Sequence, residues 1–206
     1  MNFFSPDSKF AQIMTAVGEM MLLNLCWIIA SLPLITMGAA NTAMYTVMGR
    51  RLRKEGSGTI RPFFKAWCSN LKISTLFWVP QLFVTVSMGM TLVLNVPVFF
   101  RVAALVILLL ATMVCSTIYP QIARFRNRRF AYLRNAVILL VLRLGWVVLN
   151  LLLFLSPVFL FLLSPGDFLR FGFLWLLLGF SGLFLLSAEL MQKILAPLEE
   201  LSADRK

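Results

Sequence analysis

The chain has 206 residues, 60% of them hydrophobic and 13% charged, with a formal net charge of +11. A soluble domain runs nearer half apolar and a quarter charged and could not hide this much apolar surface in one core, so a bilayer must solvate it. The sequence contains no histidine, which excludes Ser-His-Asp and Cys-His nucleophile pairs, HExxH zinc sites and haem with a proximal histidine.

The first apolar run, roughly 17–37, is VGEMMLLNLCWIIASLPLITM. A bilayer takes about 20 residues to cross, so this run is long enough. No basic stretch precedes it, and it is expected to stay in the protein as a span. Pro33 weakens the helix near the end of the run, and Thr36 and Gly38 help accommodate the freed backbone groups. Ala39–Met48 is too short to span and is expected to lie against the bundle or the interface. Arg50, Arg51, Arg53 and Lys54 follow.

After Gly56-Ser57-Gly58, the residues Ile60, Phe63, Phe64, Trp67, Cys68 and Leu71 recur at the spacing of one helix face. Arg61, Lys65, Ser69, Asn70 and Lys72 fall elsewhere. The pattern predicts an amphipathic helix over 59–72, lying in the headgroup region of the cytoplasmic face. Two roles fit it. It packs beneath the bundle, or it docks a cytoplasmic partner through Arg61 and Lys65.

A second apolar run covers roughly 73–95 and ends in a turn at Asn95-Val96-Pro97. The third covers roughly 98–119. The fourth, roughly 135–163, is long enough to tilt or to bend at Ser156-Pro157. Ser164-Pro165-Gly166-Asp167 is a turn signal, and the fifth run covers roughly 168–192. The expected fold is all-α: one polytopic membrane domain, 1–206, with about five spans plus the amphipathic helix on the cytoplasmic face.

Orientation follows from the basic residues. Seven lie in 50–72, five in 120–134 and three in the C-terminal tail, against Lys9, Arg101 and Arg170 on the other side. By the positive-inside rule the basic loops are cytoplasmic, and an odd number of spans puts the N-terminus outside and the C-terminus inside. Short basic clusters between apolar runs suit anionic lipid and argue against nucleic acid as a partner.

Four ionisable residues fall within the apolar runs, where charge is costly and candidates for function concentrate: Glu19, Arg101, Arg143 and Glu189. Glu19 and Arg101 are expected at matching depth near the outer face, as a pair. Arg143 is expected about two turns into the fourth span, ~12 Å deep, within reach of Glu189. Snorkelling, a structural bridge or, for Arg143, contact with a solute are the roles open to them. Asn24, Gln81 and Asn150 are expected to hydrogen-bond between helices, and Gly179, Ser181 and Gly182 to form a close-packing face. Cys26, Cys68 and Cys115 have no metal or disulfide spacing and are expected to be small buried hydrophobes. The acidic residues are scattered and form no catalytic cluster. No enzyme activity, cofactor or metal is therefore expected.

The stretch NLCWIIASLPLITMGAANTAMYTVMGRRLRKEGSGTIRPFFKAWCSNLKIS resembles the N-terminal signature of the YesL-like family of bacterial integral membrane proteins. The residues that carry the resemblance are Asn24, Pro33, Thr36, Gly38 and Tyr45, then Phe63, Phe64 and Lys65, then Asn70. The resemblance implies a multi-pass protein of the bacterial plasma membrane with no catalytic residues to carry over. It implies an accessory role beside carbohydrate uptake, with carbohydrate ABC-transporter components as partners. The signature is expected at the cytoplasmic end of the first span and on the amphipathic helix, away from the middle of the bundle. The alternative is a small transporter or channel for a sugar or anionic solute, with Arg143 in the path.

Overall fold

The computed structural model describes residues 9–55, 58–94, 96–170 and 172–203. Gly56, Ser57, Asn95, Arg205 and Lys206, which entered the sequence reading, lie outside the described residues. Those described form helices and turns and no strand. In chain order they are α1 (Lys9–Ser31), α2 (Met37–Leu52), α3 (Ile60–Val93), α4 (Val98–Arg124), α5 (Arg129–Leu142), α6 (Leu144–Leu163), a short α7 (Pro165–Arg170), α8 (Gly172–Leu174) and α9 (Phe180–Ala203). A π-helical turn, Trp175–Gly179, joins α8 to α9.

Five helical stretches are long and apolar enough to cross a membrane: Phe10–Ser31, Ile60–Thr91, Val98–Arg124, Leu144–Leu163 and Gly172–Leu195. The protein is a multi-pass membrane protein built as an all-α bundle. Its surface and interior agree with that solvent. Leu32, Phe83, Val93 and Phe99 are largely exposed, while Asn24, Thr42, Gln121, Asn150 and Ser187 are buried. Lipid leaves no incentive to hide leucine, and a polar group at that depth needs a partner inside the protein.

The helices alternate in direction. Trp27 Nε1 donates to Asn41 Oδ1 at 2.9 Å, and Arg51 meets Glu19 at 3.0 Å, so α1 and α2 form an antiparallel hairpin. The hydroxyls of Thr42 and Ser74 lie 2.8 Å apart between α2 and α3. Gln81 Nε2 donates to Thr112 Oγ1 at 2.8 Å between α3 and α4. Ser187 Oγ donates to Asn150 Oδ1 at 2.5 Å between α9 and α6.

Several expectations change. The first run is not one span ending in arginines. It breaks after Ser31, makes a 3-10 turn at Leu34–Thr36 and returns as α2. Helix α2 is no interfacial segment either. Gly38, Ala39, Ala40, Thr42, Ala43, Met44, Tyr45, Val47 and Met48 are all buried. The physical reason is size: a stretch of mostly small side chains at 38–43 lets neighbouring helices close around it. The expected amphipathic helix over 59–72 is the first half of α3, which continues unbroken through Pro80. Of its expected apolar face, Phe63 is buried but Ile60, Phe64 and Cys68 are exposed.

The fourth run is interrupted at Arg143, whose backbone (φ −131°, ψ 33°) separates α5 from α6, while Pro157 sits inside an unbroken α6. With 14 residues, α5 is about 21 Å long and cannot cross a hydrocarbon core of about 30 Å. Pro165 starts the short α7 rather than a simple turn, as its fixed φ and missing N–H allow at a helix start.

The two ends of the described chain lie together. Arg51 reaches Ala16 O and Glu19 in the first half of α1. Nearby, Gly49 and Arg53 share a cleft with Arg124 and with Gln192 and Leu195 of α9. An odd number of spans predicts termini on opposite faces; α2, whose short, weakly apolar sequence does not announce it, folds the chain back alongside α1 and brings both ends of the described chain to one end of the bundle.

Gly38 marks the tightest approach. A Cβ there would stand 2.6 Å from Trp78 Cβ and 2.9 Å from Ser74 O. Alanine gains about 1 kcal/mol of helix propensity over glycine, but overpacking costs about 1–3 kcal/mol. Gly38→Ala is therefore expected to lower the thermal unfolding midpoint in mild detergent. Gly89→Ala, with nothing within 4 Å of its Cβ, should leave it unchanged or raise it.

Candidate functional site

The polar groups of the interior gather around α2 and above it. Asn24, on α1, faces the π-helical turn. Its Nδ2 donates to Trp175 O at 3.1 Å and its Oδ1 accepts from Ser181 N–H at 2.9 Å. A π-turn displaces backbone groups from the α-helical ladder, and one buried carboxamide bonds to a carbonyl and an N–H beside that turn. Tyr45, on α2, has its hydroxyl 2.6 Å from Ser187 Oγ, which bonds Asn150 in turn. This chain ties α2, α9 and α6 together.

The bend between α1 and α2 is handled the same way. Thr36 Oγ1 lies 2.7 Å from Ala30 O and 2.8 Å from Pro33 O. Trp78 Nε1 donates to Leu34 O at 2.6 Å. Trp78 stands near the middle of α3, and Leu32, Leu34 and Ile35 beside the bend are exposed. Irregular backbone at membrane depth survives where side chains bond its carbonyls, and these two side chains do so.

Beneath the bend lies a cavity of about 280 Å³, bounded by α1, α2, α3, α4, α6 and the start of α9. Trp27, Phe154, Phe180 and Phe184 line one part, and Gln81, Thr112, Ser116 and Tyr119 another. None of its lining residues is charged. Among the described residues, no three of His, Cys, Asp and Glu come together to hold a metal ion.

The intramembrane charges are arranged differently from expectation. Glu19 pairs with Arg51, not Arg101, because the hairpin carries α1 back alongside the end of α2. Both side chains are about a third exposed, so the pair contributes about 0–1 kcal/mol. Arg101 is half-buried in the first turn of α4. Arg143 and Glu189 form no ion pair among the described residues. Arg143 sits at the α5–α6 break, three residues before Trp146, whose ring lies under Lys193 Nζ at 4.9 Å. It is thus near the basic end of the bundle and does not line the central cavity. Glu189 is exposed and lines an open cleft with Lys193 and Leu149.

The signature residues divide into two groups. Asn24, Gly38, Tyr45 and Phe63 are buried, and Thr36 and Pro33 form the bend. Apart from Phe63, which lies near the start of α3, these residues belong to the middle of the bundle, contrary to the expectation of a signature at one end. Phe64 and Lys65 are exposed, and Asn70 donates to Ala66 O of its own helix at 2.9 Å. Of the cysteines, Cys26 is buried and Cys115 half-buried, but Cys68 is exposed. Gly179 faces the ring of its own Trp175, and Gly182 has nothing within 4 Å, so they form no close-packing face.

The sequence reading missed Asn41, Ser74, Trp78, Thr112 and Ser187, all of which bond across helices. A polar residue isolated in an apolar run was the available signal for Thr112 and Ser187.

Residues 20–96 match a family described as "Protein of unknown function, DUF624". No curated protein and no solved structure matches the chain. The matched stretch covers the second half of α1, the bend, α2 and all of α3.

Outside the spans, Arg53 bonds Glu55 through both carboxylate oxygens, at 2.7 and 3.0 Å. That contact holds the Glu55 carboxyl below its ordinary range. The bond is present at neutral pH and is lost only as pH falls through that lowered value.

Two substitutions separate the polar contacts. Asn24→Leu removes the part-buried donor to Trp175 O and the buried acceptor of Ser181 N–H. It is expected to destabilise by about 1–3 kcal/mol. Tyr45→Phe leaves Ser187 bonded to Asn150 and should cost about 1 kcal/mol or less. Equilibrium unfolding in bicelles measures both, and equal losses would contradict this ordering.

Proposed function

We propose that this protein is a YesL-like accessory protein of the bacterial plasma membrane, linked to carbohydrate uptake, which holds a cytoplasmic partner at its basic end. The DUF624 match over 20–96 supports the family reading, since YesL-like proteins carry this domain. The observation that carries the partner reading is a stripe along the first half of α3. Arg61, Lys65, Cys68 and Lys72 are all exposed, at spacings of four, three and four residues, which is one helix face. Lys72 precedes the apolar run, so in this reading the first 13 or so residues of α3 extend some 20 Å beyond the hydrocarbon. Arg124, Arg126, Arg128 and Arg129 are exposed near the same end.

In this reading the basic end is cytoplasmic, and the described chain begins and ends there. The partner presents an acidic surface, and the components of a carbohydrate ABC transporter are the class proposed. The transporter alternative with Arg143 in the path has less support, because Arg143 stands apart from the central cavity. No catalytic role is proposed.

Recovery of the tagged protein from native membranes tests the reading. A co-purifying transporter component supports it. Arg61→Glu with Lys65→Glu should then lower partner recovery at least tenfold while insertion is unchanged. The native interaction should also weaken as salt rises, because exposed charges are screened within about 8–10 Å. Alkylation of Cys68 with a bulky maleimide should block it as well. Recovery unaffected by both charge reversal and alkylation removes the basis for docking at α3.

A further inference from the structure

The cavity under the α1–α2 bend has two unlike walls. Trp27, Phe154, Phe180 and Phe184 supply aromatic faces from α1, α6 and α9. From α3 and α4 come Gln81 and Thr112. Gln81 is only 7% exposed. Its Nε2 is used, donating to Thr112 Oγ1 at 2.8 Å, and Thr112 passes its own proton to Leu108 O at 2.7 Å. Gln81 Oε1 is buried and has no hydrogen-bond partner. A bare amide oxygen in apolar surroundings is a costly arrangement that a bound donor relieves.

We propose that this cavity binds a small neutral ring compound carrying one hydroxyl or N–H donor, which donates to Gln81 Oε1 while its ring lies against the aromatic wall. Charge is disfavoured because no ionised side chain lines the cavity to compensate its desolvation. Many hydroxyls are disfavoured too. The Ser116 and Thr112 protons are already given to Met113 O at 2.8 Å and to Leu108 O, and Gln81 Oε1 and the Tyr119 hydroxyl are the buried polar atoms of the lining without a partner, too few for the several hydroxyls of a sugar. Size fits a phenol or an indole. An apolar cavity of about 150 Å³ admits benzene, and this one is about 280 Å³. The aromatic wall suits a flat ring in offset or edge-to-face contact; Trp27 and Phe180 already lie 4.5 Å apart in a tilted arrangement. The inference does not rest on the accessory reading.

The test uses the full chain in phosphatidylcholine nanodiscs with 4-bromophenol as the probe. Bromine quenches tryptophan fluorescence, and Trp27 and Trp78 line the cavity. Expected is a saturable quenching component, weakened about tenfold by Gln81→Leu. Bromobenzene, which lacks the donor, should bind about tenfold more weakly than 4-bromophenol and be indifferent to Gln81→Leu. Ser116→Phe, which fills the cavity, should abolish the saturable component, with thermal unfolding confirming that each variant is folded. If Ser116→Phe does not fold, the comparison of the two probes on Gln81→Leu still decides. Quenching that only rises linearly, as partition into lipid gives, overturns the proposal. So does 4-bromophenol binding that Gln81→Leu leaves intact, and so does displacement of the probe by glucose, which would mark a polyol site.

Discussion

Helix α2 has almost no face left for lipid or water. Nine of its sixteen residues are buried, and the rest of the bundle is arranged to enclose it. The small residues at 38–43 make this possible. They let α3 come so close at Gly38 that no side chain fits between the helices. In lipid the hydrophobic effect does not drive helices together, so close packing and internal hydrogen bonds must do so. The Thr42–Ser74 contact lies one turn from Gly38, where the approach is closest, and about one turn further on the Tyr45–Ser187–Asn150 chain fastens the same helix to α9 and α6.

The same constraint explains why the irregular parts of the chain carry so many polar contacts. The bend at Pro33 and the π-turn at Trp175–Gly179 both disturb backbone hydrogen bonding within an apolar body. Thr36 and Trp78 bond carbonyls at the first, and Asn24 bonds a carbonyl and an N–H at the second. Both irregularities border the cavity, through Met37 and Phe180. The cavity lies between the two breaks, and the breaks are tolerated because particular side chains complete them.

Charge is segregated from this interior. The paired Glu19 and Arg51, the Arg53–Glu55 contact, the Arg143 break and Lys193 over Trp146 all lie toward one end. Arg143 illustrates how depth in a sequence differs from depth in a fold. Counted along an assumed span it seemed two turns deep. A helix break at its own backbone turns α5 aside, so Arg143 starts the span instead of sitting inside it. Glu19 makes the complementary point, since its partner was chosen by a hairpin rather than by matching distance from the membrane surface. Asn24 and Tyr45, by contrast, were legible as polar or aromatic residues in a distinctive stretch. Their partners were not, because Ser181 and Ser187 lie more than 140 residues away.

The sequence by itself determined the solvent, the helical class and the position of the long apolar passes, because each rests on local composition and on the length needed to cross a bilayer. It also determined that basic charge is concentrated in a few short segments. Only the tertiary structure decided what those segments do. A helix of small residues reads as neither span nor surface until its neighbours close around it, so α2 and the return of the chain to the basic end were hidden. The continuity of α3, the break at Arg143 and the two-walled cavity likewise depend on contacts between distant residues. Periodicity records which face of a helix is apolar, and in a membrane that face can point to lipid or to the core.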